Sequence, residues 1–166
     1  MTSIPRPRRL PVLILAAIGL LLAGVAAGWA LASGASAPSA KRFALAQSTH
    51  VRGAPDRTLG LSRVIIPPGG KIALHHHEGT QTAYIQSGVL TYTVHSGQVR
   101  VRKGLADQNP RIVKTISAGD AGQIHSGQWI VEQPNDHHSA ANRGNKRIVI
   151  YLATLLRHGA PPSTPG

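Results

Sequence analysis

The sequence predicts an all-β domain that closes as a jelly roll, preceded by one apolar N-terminal helix of transmembrane type. Nine short β-prone runs follow one another between residues 59 and 155, and none of the intervening stretches has helical periodicity. Residues 10–32 are uncharged and apolar over 23 positions, which predicts the helix. Strands that each bury one face close naturally into two facing sheets, because this arrangement leaves few exposed edges.

The N-terminal segment predicts where the domain resides. Residues 1–9 are basic, and the apolar run of residues 10–32 that follows is long enough to span a bilayer as a helix. Positive residues before such a helix predict a cytoplasmic N-terminus and an exported C-terminal domain, held at the cell membrane by a single pass. Small-residue patterns at residues 30–32 and 35–37 are typical of signal cleavage sites, so secretion after cleavage stays open as the alternative.

The exported part divides into a linker, a barrel and a tail. Residues 33–42 are rich in small residues and predict a flexible linker, residues 43–156 the β-barrel, and residues 157–166, with three prolines, a disordered tail. The predicted strands are residues 59–66, 72–76, 82–86, 89–95, 99–102, 112–116, 129–133, 138–141 and 147–155.

Three connections between the predicted strands have predicted conformations. Ser87-Gly88 predicts a tight hairpin between the strands on either side. The polar residues 103–111 predict an inserted loop, and residues 117–128 a long loop or a short extra hairpin.

The amino-acid composition limits the kinds of metal site and of binding partner that the chain can have. The chain has no cysteine, which excludes disulfides and thiolate metal sites and leaves histidine and oxygen ligands. The formal net charge of +12 is spread along the chain and suits anionic lipid head groups or acidic ligands. Nucleic acid is excluded as a partner, because the chain has six aromatic residues, no basic helix and an exported domain.

A short β-like segment concentrates candidate metal ligands. His75 and His77 alternate on one face of the predicted strand, whereas His76 points to the other face. After the turn that follows, the next strand begins with Gln81, whose amide oxygen is a neutral, weaker ligand. A further histidine, His138, lies in a second segment that begins at Gly127.

The spacing of these residues resembles the two motifs of the cupin superfamily. Five residues separate Gly69 from His75, one separates the two histidines, three precede Gln81, and six precede Gly88. The looser second motif fits a glycine, ten intervening residues, His138 and then Asn142 after three more. The resemblance covers roughly residues 58–155 and is that of a single-domain, type-2-like cupin.

The resemblance implies a metal centre inside the barrel, held by His75, His77, Gln81 and His138. Mn, Fe, Ni, Cu and Zn all suit such ligands. Gln81 stands where the family usually has a glutamate, so the ion would keep one more unit of positive charge and a familiar general base is missing. Glu78 and Glu132 are the nearby carboxylates available for this role.

The resemblance leaves the functions of several other residues open. Tyr84, Tyr92 and Trp129 are candidates for stacking against a substrate, with a place in the barrel core or at its rim as the alternative. Asn142 is more typical of a structural turn than of a ligand. Many cupins are dimers, which makes a homodimer an expected assembly.

Three functions are compatible with this sequence. The first is a membrane-tethered, metal-dependent oxygenase or isomerase acting on a small oxygen-rich molecule. The second is a non-catalytic cupin that binds a metal or a small-molecule ligand at the cell surface, and Gln81 favours it slightly. The third is a structural barrel whose histidines bind nothing.

Overall fold

A computed structural model describes residues 38–166. The predicted basic segment of residues 1–9, the predicted helix at residues 10–32 and the first half of the predicted linker lie outside this range. The described part of the chain consists of strands and turns, and it contains no helix with the length and apolar character needed to cross a bilayer.

The described residues form twelve strands. They are β1 Lys41–Ser48, β2 Arg57–Ile66, β3 Lys71–His76, β4 Gly79–Ser87, β5 Val89–Val94, β6 Gln98–Lys103, β7 Arg111–Ser117, β8 Ala121–His125, β9 Gln128–Glu132, β10 His138–Ala141, β11 Ile148–Arg157 and β12 Thr164–Pro165.

The strands form two antiparallel sheets. The seven-stranded sheet has the order β1-β2-β11-β4-β9-β6-β7, and the five-stranded sheet has the order β12-β3-β10-β5-β8. Along β4 and β11 buried and more exposed residues alternate, as expected when one face of a strand packs inward. The core consists mainly of β-branched residues, with Ile66, Ile85 and Ile130 fully buried. The predicted all-β class is confirmed for the described residues.

The nine predicted strands correspond to β2–β7 and β9–β11, with ends that differ by a few residues. β1, β8 and β12 were not predicted. Every residue of β1 is exposed, so its sequence lacks the alternation that identifies a half-buried strand, and its first two residues had been assigned to the linker. β12 lies in the predicted disordered tail, where Thr164 pairs with His76.

The prediction of a hairpin at Ser87-Gly88 is wrong. β4 and β5 belong to different sheets and do not pair, so the chain crosses from one sheet to the other at Gly88. Gly88 has φ +86°, and a Cβ there would lie 2.9 Å from the side chain of Ile148. The paired hairpin is instead β6–β7, so the loop predicted as an insertion is its connection.

An irregularity in β3 aims one histidine into the barrel. His138 of β10 pairs with His75, but Ala140, two residues later, pairs with Ile72, three residues earlier. β3 therefore carries one extra residue between Ile72 and His75, which is a β-bulge. Because the bulge changes the alternation of side chains, both Ile72 and His75 line the interior cavity, while Leu74 is exposed.

Candidate metal centre

Three histidines converge inside the barrel: His75 on β3, His77 directly after the end of β3, and His138 on the neighbouring strand β10. One ring nitrogen from each of His75, His77 and His138 lies within 4.8 Å of the others. The centroids of the His75 and His138 rings are 4.3 Å apart, and those of His77 and His138 are 5.2 Å apart. His77 and His138 are almost completely buried. Residues separated by about sixty positions in sequence therefore meet at one point, as predicted.

Hydrogen bonds to main-chain carbonyls fix the protonation pattern of all three rings. The Nδ1 atoms of His75 and His138 donate to the carbonyl oxygens of Ala73 and Asp136, at 2.8 Å and 3.0 Å. Nδ1 of His77 donates to the carbonyl of Pro162 at 2.8 Å. A carbonyl oxygen can only accept, so the proton of each neutral ring lies on Nδ1 and the lone pair lies on Nε2. This is the usual arrangement of histidines that bind metal.

Burial keeps two of these rings neutral. It lowers the pKa of His77 to about 4, an effect partly opposed by the negative charge of Glu132. The pKa of His138 is also lowered to about 4, mainly by burial and to a smaller extent by the neighbouring His75. Neutral imidazoles are the form that coordinates a divalent ion, so His77 and His138 can act as ligands throughout the neutral pH range.

A buried carboxylate completes the cluster. Glu132, at the end of β9, places Oε1 3.3 Å from Nε2 of His138 and Oε2 3.6 Å from Nε2 of His77. The hydroxyl of Tyr92 donates to Oε1 at 2.9 Å. The Tyr92 ring is also stacked on His138, with an angle of 21° between the planes. Burial raises the pKa of Tyr92, and the charge of Glu132 adds to the effect, so the phenol keeps its proton.

Gln81 lies beside these residues, although its amide nitrogen rather than its oxygen faces the cluster. Nε2 of Gln81 donates to Oε2 of Glu132 at 2.5 Å and lies 3.2 Å from Nε2 of His77. Its oxygen is buried without a hydrogen-bond partner among the described residues. The prediction that Gln81 is a metal ligand stays a prediction, and the geometry also gives Gln81 a second role, as a donor to Glu132.

The cluster lines a cavity of about 240 Å³ between the strands of the barrel. A volume of this size holds a small organic molecule. Its walls are mostly apolar, and most of the polar side chains that line it belong to the histidine cluster. The wall residues outside the cluster are Ala40, Arg42, Val64, Ile72, Ala83, Leu90, Ile130, Ala140, Ile150, Leu152 and Ser163.

The other residues singled out in the sequence lie away from the cavity. Tyr84 and Trp129 are cross-strand neighbours on the outer side of the seven-stranded sheet, and neither lines the cavity. Glu78 forms an ion pair with Arg157. Asn142 is buried and ties the loop before β11 to the end of β2, because its Nδ2 donates to the carbonyl of Ile66. Its structural role agrees with the prediction of a turn residue.

Two contributions to the site had no signal in the sequence, and a third residue, Tyr92, was predicted only as a stacking candidate. Arg42 lines the cavity from β1, which the sequence assigned to the linker and the start of the barrel. The carbonyl of Pro162 orients His77 from the predicted disordered tail. Tyr92 is buried on β5 of the five-stranded sheet, and only the position of Glu132 on the seven-stranded sheet shows that its hydroxyl belongs to the site.

Shortening the chain after residue 160 is expected to weaken metal binding by about tenfold, because His77 loses the carbonyl that orients its ring. The measurement is calorimetric titration of the metal-free protein with Zn²⁺. Ser163→Ala is the control, since it changes the same segment but leaves the Pro162 carbonyl in place. Equal affinities for the shortened and full-length chains would show that the carbonyl has no influence on the site.

Comparison with known proteins agrees with this geometry. Residues 62–106 match the family model described as the cupin domain. The described domain has a cupin-like fold. A cupin 2 domain-containing protein from Halorhodospira halophila has a TM-score of 0.51 at 12% identity, over 81% of this chain and 75% of that one. A cupin-like protein from Thermotoga maritima has a TM-score of 0.50 at 13% identity, over 76% and 75% of the two chains.

These likenesses concern the cupin fold alone, because the identities are low. No protein among those with curated functions matches the chain significantly. The matched residues 62–106 contain His75, His77 and Gln81, whereas His138 and Glu132 lie beyond them. The last two residues are therefore assigned to the site by the three-dimensional arrangement of the described barrel.

Proposed function

We propose that this protein binds a divalent transition metal through His75, His77 and His138, with Gln81 and Glu132 beside the ion and a small molecule in the adjoining cavity. The observation that carries the proposal is the common tautomer of the three histidines. Each Nδ1 donates to a carbonyl, so each Nε2 presents its lone pair to the shared centre, where the Gln81 amide also lies 3.2 Å from Nε2 of His77. These residues fit Mn, Fe, Ni, Cu or Zn.

The cavity supports a metal-dependent enzyme that acts on a small oxygen-rich molecule, as an oxygenase or an isomerase. When bound, the ion would polarise an oxygen ligand of the substrate. The protein's own residues would exclude bulk water through the apolar walls and accept a proton at Glu132. Arg42, in the cavity wall, offers a positive charge to an acidic group of the ligand.

A non-catalytic cupin that binds a metal or a small molecule is the second candidate. The observation that favours it is Gln81, because the usual first-motif carboxylate is absent and the amide that replaces it cannot move protons. The two candidates differ in turnover. Oxygen uptake, or isomerisation of small hydroxy acids and sugars, by the metal-loaded protein would identify the enzyme.

The proposed metal site is tested by purifying the untagged protein and measuring its metal content, followed by removal of the metal and titration with Zn²⁺, Mn²⁺, Ni²⁺ and Cu²⁺. We expect one ion per chain and an increase in the thermal midpoint when the ion is returned, since an ion that binds the folded state stabilises it. Failure of all four ions to bind the metal-free, folded protein would rule out the proposal.

We also propose that residues 10–32 hold the barrel at the outer side of the cell membrane, with secretion after cleavage as the alternative. The proposal rests on the apolar run and the arginines before it. Fractionation of cells that express the full chain separates the two alternatives, because a cleaved product is recovered without membranes. Sedimentation analysis of the exported domain tests the expected homodimer.

A further inference from the structure

We propose that Glu132 supplies the anionic ligand of the metal centre in place of residue 81, and that Gln81 holds the Glu132 carboxylate in position. This inference rests on the proposed metal-binding function and specifies the chemistry of the site, three imidazoles and one carboxylate. The carboxylate that the cupin motif usually has at position 81 is then supplied from position 132, on the neighbouring strand.

The strand register places the two side chains on the same point of the barrel wall. Gln81 of β4 pairs directly with Glu132 of β9, and both are buried, with 4% of their surface exposed. Directly opposite residues on one face have Cβ atoms about 5 Å apart. A carboxylate moved from position 81 to position 132 therefore stays within reach of the same histidines.

The distances from Glu132 suit a shared ion. Ligand atoms that each lie about 2.1 Å from one ion, at tetrahedral or octahedral angles, are about 3.0–3.4 Å apart. The carboxylate oxygens of Glu132 lie 3.3 Å and 3.6 Å from Nε2 of His138 and His77. The carboxylate thus needs only a small side-chain adjustment to coordinate the ion that these histidines bind.

The same contacts are unfavourable unless a cation lies between them. Since Nδ1 carries the proton in both neutral rings, each Nε2 presents a lone pair to a carboxylate oxygen that also accepts. The Gln81 amide lies 3.2 Å from Nε2 of His77 and offers that one lone pair a donor. A ring nitrogen and a carboxylate oxygen that both only accept cannot form a hydrogen bond with each other. A divalent ion converts both contacts into bonds.

Glu132 also lacks a cationic partner in the protein. Its hydrogen-bond donors, Tyr92 and Gln81, are both neutral. In the described part of the chain no lysine or arginine nitrogen lies within 4 Å of it, and Arg42, which lines the same cavity, donates to Ser62. The charge of Arg42 acts on Glu132 only from beyond contact distance. A buried carboxylate without a paired counter-charge costs up to several kcal/mol, which a metal ion would offset.

Gln81 is the residue type that permits a carboxylate at position 132. A glutamate at both positions would bring two negative charges face to face in a buried site. The amide instead donates to Glu132 at 2.5 Å. This pairing accounts for the one position at which the first cupin motif of this chain departs from the usual pattern.

The test compares Mn²⁺ and Zn²⁺ affinities of the metal-free wild type, Glu132→Gln, and the exchange variant Gln81→Glu/Glu132→Gln by calorimetry. We expect Glu132→Gln to weaken Mn²⁺ binding by at least about tenfold and Zn²⁺ binding less, because Mn²⁺ depends more on oxygen ligands. The exchange variant should recover Mn²⁺ binding. Glu78→Gln, which removes the same charge from an ion pair outside the cavity, should bind like the wild type.

The outcomes separate this inference from the proposed function. Wild-type affinity for both ions in Glu132→Gln, with an unchanged circular dichroism spectrum, would overturn the role of Glu132 and leave the histidine site intact. An exchange variant as weak as Glu132→Gln would overturn the exchange of positions. A wild type that binds neither ion would overturn the proposed function itself.

Discussion

Metal binding is expected to disappear, with affinity falling more than about 100-fold, when His138 is replaced by alanine. Loss of a direct ligand should exceed the 10- to 100-fold effect typical of residues that only orient ligands. His138 is the one histidine of the three that comes from β10, and it contacts both Glu132 and the His75 ring. The measurement is metal content after purification, together with Zn²⁺ titration of the metal-free protein.

His76→Ala is the matched control for this experiment. His76 lies between two of the proposed ligands in sequence, but its ring packs against His137, with 4.7 Å between centroids, and it is not part of the convergent group. The control should bind Zn²⁺ like the wild type. If His76→Ala and His138→Ala lose the metal to the same extent, the ion binds to the histidine run without the barrel, and the proposed centre does not exist.

Acidification is expected to destabilise the metal-free domain between pH 6.5 and about pH 4. In the folded state burial lowers the pKa of His77 and of His138 to about 4, whereas unfolded histidine titrates near 6.5. Between these values the unfolded chain binds protons that the folded chain excludes. The stabilising contribution is therefore complete above pH 6.5 and is lost as the pH falls toward 4.

The size of this effect is about 3 kcal/mol for each histidine if the two titrate independently. Urea unfolding in the presence of a chelator, at pH 7 and at pH 4.5, measures it. A double variant, His77→Gln/His138→Gln, should lose most of this pH dependence, while His76→Ala should keep it. A wild-type free energy of unfolding that does not change between the two pH values would contradict the buried, neutral state of these rings.

Most of the fold followed from the sequence, because half-buried strands leave a visible alternation. β4, with Ala83 and Ile85 inward and Tyr84 outward, is the clearest example. β1 has no buried residue to mark it, and β8 lies between glycines that indicate a loop. The pairing of strands was harder. Ser87-Gly88 has the composition of a hairpin, and only the packing of Gly88 against Ile148 reveals a crossing between sheets.

The candidate site was predicted in part for a similar reason. Motif spacing brought His75, His77 and His138 together, since the cupin pattern encodes which positions face the interior. It could not show which way the Gln81 amide turns, because that depends on Glu132 across the sheet. The bulge between Ile72 and His75 is equally invisible in a single strand, because it is defined only by the partner strand. The orientation of the Gln81 amide and the position of the bulge thus depend on contacts with partner strands, which the spacing of residues in the sequence does not contain.

The hydrogen bond from His77 to the Pro162 carbonyl, 85 residues further along the chain, has a consequence for how the protein acquires its ion. The His77 ring is oriented only after the segment around Pro162 has been synthesised and has packed onto the barrel. A partly synthesised or partly folded chain therefore lacks the full ligand geometry. Metal affinity is therefore coupled to completion of the barrel. The ions available in the compartment where folding finishes will then determine which metal this protein first captures.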